Sequence, residues 1–370
     1  MTQDIKFYVG LDVHKDSIAI AVAETGSREP GRFVGTTGHA LEELEKALLS
    51  IGSKDSQSLV YEAGPCGYDL YRSLVARGWI CAVIAPSRVA RRPADRIKTD
   101  RRDALLLARL HRSAELVAVQ VPDSGDEAIR DLVRLREDAV RAQRVARQHL
   151  AAFLLRHGYR YTGKTAWGRT HQNWMSQLTF ADPVLYTAYA EYRLAVQAAA
   201  ERLERCEAVI QQTLPAWRWQ PTVAALTALR GIQWLTAVKL VAELGDLRRF
   251  AHPRQLMAYL GLVPSEYSSG SNRQRGPITR TGNSLARRTM IESAWSYRFP
   301  ARIGKDIEAR QTGLQVEITQ LAWKAQQRLC VRYRRLSQRG LHVNKVCTAI
   351  ARELTGFVWA IALCTEPVTS

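Results

Sequence analysis

The sequence predicts a mixed α/β domain at the N-terminus, followed by a helical remainder read as all-α. Three observations predict it. Short apolar runs that end in an acid alternate with helix-spaced leucines as far as about residue 125. Beyond Pro122 the apolar residues recur at spacings of three and four, the period of a helix and not of a strand. With 370 residues, 46% of them hydrophobic, the chain can build two or three cores.

Lys6–Asp12 and Ser17–Glu24 read as a hairpin joined by Val13-His14-Lys15-Asp16, with Arg32–Thr36 as a third strand. His39–Ile51 carries Leu41, Leu44, Leu48 and Leu49 at helical spacing. Strand Ser58–Glu62 follows, then a turn through Gly64, Pro65 and Gly67, and helix Tyr68–Arg77. Strand Trp79–Ile84 and helix Asp100–Arg112 complete the pattern. Three strands, helix, strand, helix, strand, helix is the order of an RNase H-like domain, although periodicity alone leaves other α/β folds open.

The expected domains are 1–125, a helical segment 126–213, and a helical domain 214–370. In the middle segment, Ile129, Leu132, Leu135, Ala139, Ala142 and Val145 form one stripe. Leu185, Tyr189, Tyr192, Val196, Ala199, Leu203, Cys206 and Ile210 alternate spacings of four and three. Such a heptad seam predicts a coiled coil, either within one chain or between two. Between the helices, Tyr159, Tyr161, Trp167 and Trp174 are interleaved with Arg160, Lys164, Arg169 and His171. Rings among bases suit stacking on unpaired nucleotides, or they pack on one another at a hairpin tip. Residues 222–264 resemble a helix-hairpin-helix about Arg230-Gly231-Ile232. Gln233 stands where that motif expects a second glycine, which favours plain packing.

Charge points to a polyanion. The chain carries 53 Lys and Arg against 35 Asp and Glu, a net charge of +18. Arg88–Arg112 holds nine basic residues and three acids, and Gly270–Gly340 fifteen and four. Clustered surplus of this kind is the footprint of a nucleic-acid partner. The six cysteines are scattered with no C-x-x-C pair, so they read as small buried residues of a reducing compartment, not as zinc ligands or disulfides. The first residues do not resemble a signal peptide, and no run is read as approaching the ~20 apolar residues of a membrane span. A cytoplasmic protein without a membrane partner is expected.

Four acids carry the chemistry. Asp12 and Glu62 each end an apolar run, and Asp100 and Asp103 precede Leu105-Leu106-Leu107. At i and i+3 the last two share a helix face, and they repel unless a cation neutralises them. Carboxylate oxygens suit Mg2+ or another divalent cation with room left for phosphate oxygens. Two such ions ~3.5–4 Å apart stabilise both oxygens of an in-line displacement. Lys98, Arg101 and Arg102 alongside suit phosphate positioning. Taken singly, each acid has a plainer reading, as a strand end or a helix N-terminal charge.

A second candidate is the run Gly261–Gly276, with Ser265, Ser268, Ser269 and Ser271 among Arg273 and Arg275, followed by Arg280. It reads as a flexible loop presenting a hydroxyl to a DNA backbone. A serine needs a base, a metal or cationic neighbours to become a nucleophile, and a phosphate-contacting loop is the plainer reading.

Together these segments resemble one family, the RNA-guided DEDD transposases or recombinases of the insertion sequences called IS-one-ten. The resemblance rests on Gly10-Leu11-Asp12-Val13-His14-Lys15, on Tyr61-Glu62-Ala63-Gly64-Pro65-Cys66-Gly67-Tyr68, and on Lys98-Thr99-Asp100-Arg101-Arg102-Asp103-Ala104. It continues through Phe250 to Gly261-Leu262-Val263-Pro264, Ser269-Gly270, and Ile278 to Gly282-Asn283. The resemblance implies a RuvC-like (RNase H-fold) domain, a coiled coil and a helical transposase domain. It implies that Asp12, Glu62, Asp100 and Asp103 bind metal and that Ser269 attacks DNA to form a phosphoserine linkage. Ser268 and Ser271 are the alternatives for that serine. It further implies target and donor DNA, a structured noncoding guide RNA, and a homo-oligomer, dimer or tetramer, with composite sites across subunits. A RuvC-like nuclease or resolvase using water, an actin-like ATPase and a non-enzymatic coiled-coil scaffold are the competing readings.

Overall fold

The computed structural model describes residues 4–86, 99–269 and 272–368. Contacts divide the chain into two compact units, Met1–Val121 and Pro122–Ser370.

In the first unit, strands β1 (Phe7–Val13), β2 (Ile18–Glu24) and β3 (Arg32–Thr37) precede helix α1 (Leu41–Leu49). Strand β4 (Gln57–Glu62), helix α2 (Asp69–Ala76), strand β5 (Ile80–Ile84) and helix α3 (Asp100–Arg112) follow. The sheet order is β3-β2-β1-β4-β5. β1 pairs antiparallel with β2 and parallel with β4, which pairs parallel with β5. Every expected element is present, with bounds shifted by a residue or two. Helices cover both faces of the sheet, so its strands read as continuous apolar runs. One face is built from Val9, Leu11, Ile20, Leu59, Tyr61 and Val83 against Leu44, Leu48 and Leu74 of α1 and α2. The other face is made of small residues. Ala19, Ala21 and Ala23 meet Ala104 and Ala108 of α3, while Val60 and Ile84 meet Leu107 and Leu110.

Gly10 lies on that second face, and its bare Cα lets α3 approach. A Cβ there would stand 2.3 Å from the Ala104 carbonyl oxygen and 2.5 Å from the Ala108 nitrogen. The far end of α3 is tied down as well. His111 Nε2 bonds the Ser58 hydroxyl at 2.8 Å, and burial holds the ring's pKa down at about 4.

The second unit opens with the long helices α4 (Ser124–Arg156) and α6 (Pro183–Thr213), with α5 (Arg169–Ser176) between them. Phe153, late in α4, is 6.5 Å from Tyr189, early in α6. Arg136, early in α4, donates to Glu207 near the end of α6 at 3.0 Å. The two helices therefore pair antiparallel within one chain. The α6 seam from Leu185 to Ile210 is turned inward throughout. The α4 stripe differs from expectation. Leu135 and Val145 are exposed, and the buried positions are Ile129, Val133, Ala139, Leu150, Phe153 and Leu154. The first half of the helix packs against α6 and the C-terminal helices together and the second half against α6, so no single period describes it.

Asp126 anchors the foot of α4. Its buried carboxylate accepts hydrogen bonds from the indole nitrogens of Trp217 (2.8 Å) and Trp219 (3.1 Å) and pairs with Arg218. Asp126→Ala leaves these donors unpaired in the core. The expected loss is about 3 kcal/mol, read from the midpoint of chemical unfolding.

Helices α7 (Gln220–Leu226), α8 (Trp234–Leu244), α9 (Pro253–Tyr259), α10 (Ser284–Ala294), α11 (Lys305–Gln311), α12 (Val316–Gln338) and α13 (Val343–Leu363) complete the unit. The turn between α7 and α8 is occupied by the protein itself, with Arg230 donating to the Pro300 carbonyl at 2.7 Å. Structural packing thus accounts for the hairpin-like motif. α13 corrects one expectation, because it is long and apolar enough to cross a membrane. Its Val346, Ile350, Leu354, Val358 and Ile361 are instead buried in the helical core.

The unit is helical but not all-α. β6 (Pro264–Ser269) and β7 (Asn272–Ile278) form an antiparallel hairpin where a flexible loop is expected. Both strands are polar, so no alternation announces them. Backbone bonds hold their base, including Thr279 N–H to the Val263 carbonyl (2.9 Å) and Arg280 N–H to the Gly261 carbonyl (3.1 Å). Gly282 closes this base with φ +69°, and a Cβ there would lie 1.9 Å from the Tyr259 carbonyl oxygen.

Candidate active site

Three elements carry the acids of the first unit, and side-chain contacts join Asp12 and Asp100 through His14. Asp12 and Glu62 each stand one residue beyond the Leu11↔Tyr61 pair, at the carboxyl ends of adjacent parallel strands. Side chains alternate along a strand, so Asp12, two residues after Gly10, and Glu62, two after Val60, share the face that α3 covers. α3 starts over those strand ends. Thr99 caps it by accepting from the Arg102 N–H at 3.3 Å, which puts Asp100 and Asp103 in the first turn.

The close contacts centre on His14, which the sequence reading leaves in a turn without a role. Its Nε2 lies 3.1 Å from Asp12 Oδ2 and 3.4 Å from Asp100 Oδ1. The His39 ring in turn donates to the His14 carbonyl. One ligand atom each from Asp12, His14 and Asp100 lies within 4.8 Å of the others. The Asp12 side chain is only 17% exposed. Burial raises its pKa, His14 opposes the rise, and the charges of Asp103 and Asp100 add to it. An ionised Asp12 is thus uncomfortable in its own site, and a cation would relieve it. The donors are mostly hard carboxylate oxygens, which fit a small divalent cation.

The expected phosphate contacts are distributed differently. Arg101 lies over the Phe33 ring, 5.5 Å from its centroid. The Arg102 side chain is exposed at the start of α3. Lys98 lies outside the described residues, as do the side chains of Ser268, Ser269 and Arg273. The backbone of Ser269 ends β6, and its Cα partner is Asn272. Arg275 is exposed with its Nε 3.8 Å from Glu266, and Arg280 is exposed in a left-handed conformation with φ +56°. Asn283 caps α10 by accepting from the Ala286 N–H at 2.9 Å. Its amide also donates to buried Glu243, which Arg134 holds at 2.8 Å. This part of the sequence motif therefore fixes the hairpin's support.

The rings at the tip of the long helical hairpin pack on one another. Tyr161 and Trp167 stand 4.6 and 5.1 Å from His171, and Arg147 covers Trp167 at 5.2 Å.

Comparison with known proteins accords with this geometry. A family profile described as "Transposase", the DEDD transposase domain of the IS110 type, matches residues 9–158 and so spans all four acids. A second, described as "Transposase IS116/IS110/IS902 family", matches residues 223–306 and spans the hairpin. The chain is 45% identical over 364 residues to "Putative transposase y4qE" of Sinorhizobium fredii, covering 98% of this chain and 90% of that one. It is 32% identical over 339 residues to "Transposase for insertion sequence element IS1533" of Leptospira borgpetersenii, covering 90% and 96%. A DEDD domain of this kind implies dependence on a divalent metal. With both profiles in order along the chain and nearly its whole length shared with such relatives, this protein belongs to the IS110/IS116 family of insertion-sequence transposases, enzymes that act on DNA.

Proposed function

We propose that the protein cuts and joins DNA strands through Ser269, with Asp12, Glu62, Asp100 and Asp103 as the metal-holding set. The observation that carries this reading is the convergence of Asp12, His14 and Asp100 at the ends of parallel strands. The first unit is read as an RNase H-like, RuvC-like domain, supported by its strand order with β2 alone antiparallel to β1. The α4–α6 pair is read as an intramolecular coiled coil, as the inward α6 seam supports.

A divalent cation, Mg2+ in this reading, would supply charge neutralisation at the scissile phosphate and a lowered pKa for the attacking hydroxyl. The carboxylates would hold that ion and fix where it stands beside the phosphate. Ser269 Oγ gives up its proton and bonds to phosphorus, one P–O bond of the DNA backbone breaks, and the departing sugar oxygen takes up a proton in exchange. The reverse attack by a new sugar hydroxyl releases the serine and joins the strands. In a homo-oligomer, the carboxylates of one subunit serve the serine of another. Pairing with a structured noncoding RNA selects target and donor, while the protein reads shape and backbone. The net charge of +18 supports a nucleic-acid partner, and the reading places the protein in the cytoplasm.

Ser269→Ala is the direct test. Incubated with donor and target DNA, the wild-type chain is expected to yield a protein–DNA adduct resistant to denaturant, and the variant none. Strand cleavage that persists in Ser269→Ala without an adduct would assign the attack to water.

A further inference from the structure

The second unit holds a cleft of about 530 Å3 at the base of the β6–β7 hairpin, opposite the C-terminal helix. Four guanidinium groups line it, those of Arg254, Arg275, Arg328 and Arg352, against two carboxylates, Glu266 and Glu353. Its floor is apolar, with Met257 and Val263. The carboxylates are engaged. Glu353 accepts from Arg328 at 2.9 Å and pairs with Arg332 at 3.1 Å, outside the cleft lining. Glu266 lies 3.8 Å from Arg275. Among the described residues, no hydrogen bond or ion pair is made by the guanidinium of Arg254 or of Arg352. Four positive charges against two negative ones leave a surplus of two in a concavity with an apolar floor, where field lines concentrate. The planar guanidinium fork matches a phosphate in two-point fashion, which a lysine does not.

The position of the cleft narrows the ligand. Glu266 and Arg275, at its rim, are cross-strand partners, and Ser269 and Asn272 are partners at the other end of the same ladder. Three residues of strand separate them, about 10 Å at the usual rise. One strand of duplex DNA carries a charge about every 3.4 Å of axis, so that span corresponds to about three nucleotides. A strand laid along the hairpin with one phosphate at Ser269 would put the phosphate about three nucleotides further along at the cleft.

We propose that this cleft is a phosphate seat for the DNA strand, with Arg254 and Arg352 as its direct ligands and Glu353 as the residue that positions Arg328 beside them. The identity of the strand rests on the function proposed above. The anion chemistry rests on the cleft alone.

The test uses the full chain with Ser269 intact and measures binding of a labelled DNA duplex between 50 and 200 mM salt, conditions in which phosphate contacts dominate the dependence. The Arg254→Ala, Arg352→Ala double variant is expected to lower the slope of log affinity against log salt by about one, the loss of one phosphate contact. Arg254→Lys with Arg352→Lys is expected to keep the slope and lose part of the affinity. An alanine variant whose slope and affinity equal the wild type would overturn the proposal, as would a slope change confined to an RNA probe of equal length. Adduct formation by Ser269 is scored separately. An unchanged slope with an adduct from the wild-type chain defeats only the seat, and a lowered slope with no adduct from the wild-type chain defeats only the serine.

Discussion

Gly10→Ala is expected to unseat α3 and abolish activity without touching an acid. The new Cβ would lie 2.3 Å from the Ala104 carbonyl oxygen, 2.5 Å from the Ala108 nitrogen and 2.9 Å from Leu107 Cβ. Two of these are backbone atoms, so no rotamer change relieves the clash and the helix must move off the sheet. Overpacking of this kind costs about 1–3 kcal/mol. The functional cost is larger, because Asp100 and Asp103 ride on the first turn of the displaced helix. Strand cleavage should fall to background at temperatures where circular dichroism still reports a folded chain. Gly168→Ala is the matched control, since nothing lies within 4 Å of a Cβ there. Wild-type cleavage in Gly10→Ala would show that α3 need not hold its place over β1.

Asp12→Asn should separate stability from function. The carboxyl is buried, and burial together with Asp103 and Asp100 raises its pKa. A raised carboxyl pKa means that the ionised form opposes folding. Replacing the charge with an amide removes that opposition, and the new side chain can still accept from His14. Stability of the metal-free variant at neutral pH is therefore expected to equal or exceed that of the wild type. Cleavage is expected to fall about a thousand-fold, equivalent to about 4 kcal/mol of transition-state stabilisation. A variant that loses both stability and activity would make Asp12 a structural strand end.

The first unit was legible because its signals are local. Apolar runs broken by Asp12 and Glu62 mark strand ends, and Asp100 with Asp103 ahead of Leu105-Leu106-Leu107 marks the start of α3. The grouping of those acids was read from their pattern as well as from the resemblance, and the pairing of β1 with β4 that puts Asp12 beside Glu62 is what the structure adds. His14 was missed because its role depends on Asp100, far along the chain. Gly10, two residues before Asp12 and so on the same strand face, with Ala19, Ala21 and Ala23 in the next run, was the available clue that a helix lies close over this face of the sheet. The β6–β7 hairpin escaped notice for a different reason. Neither strand buries an apolar face, so the period-two pattern that marks most strands is absent. On α4 the stripe was misjudged because the first half of the helix has C-terminal helices against it in addition to α6.

In the proposed site, four acids from three separate elements hold the same ions. Calorimetric titration of Mn2+ into metal-free protein tests it without any DNA. Saturable binding by the wild type is expected, with affinity weakened at least about tenfold, roughly 1.4 kcal/mol, by each of Asp12→Asn, Glu62→Gln and Asp103→Asn. Undiminished binding in Glu62→Gln and Asp103→Asn would contradict it.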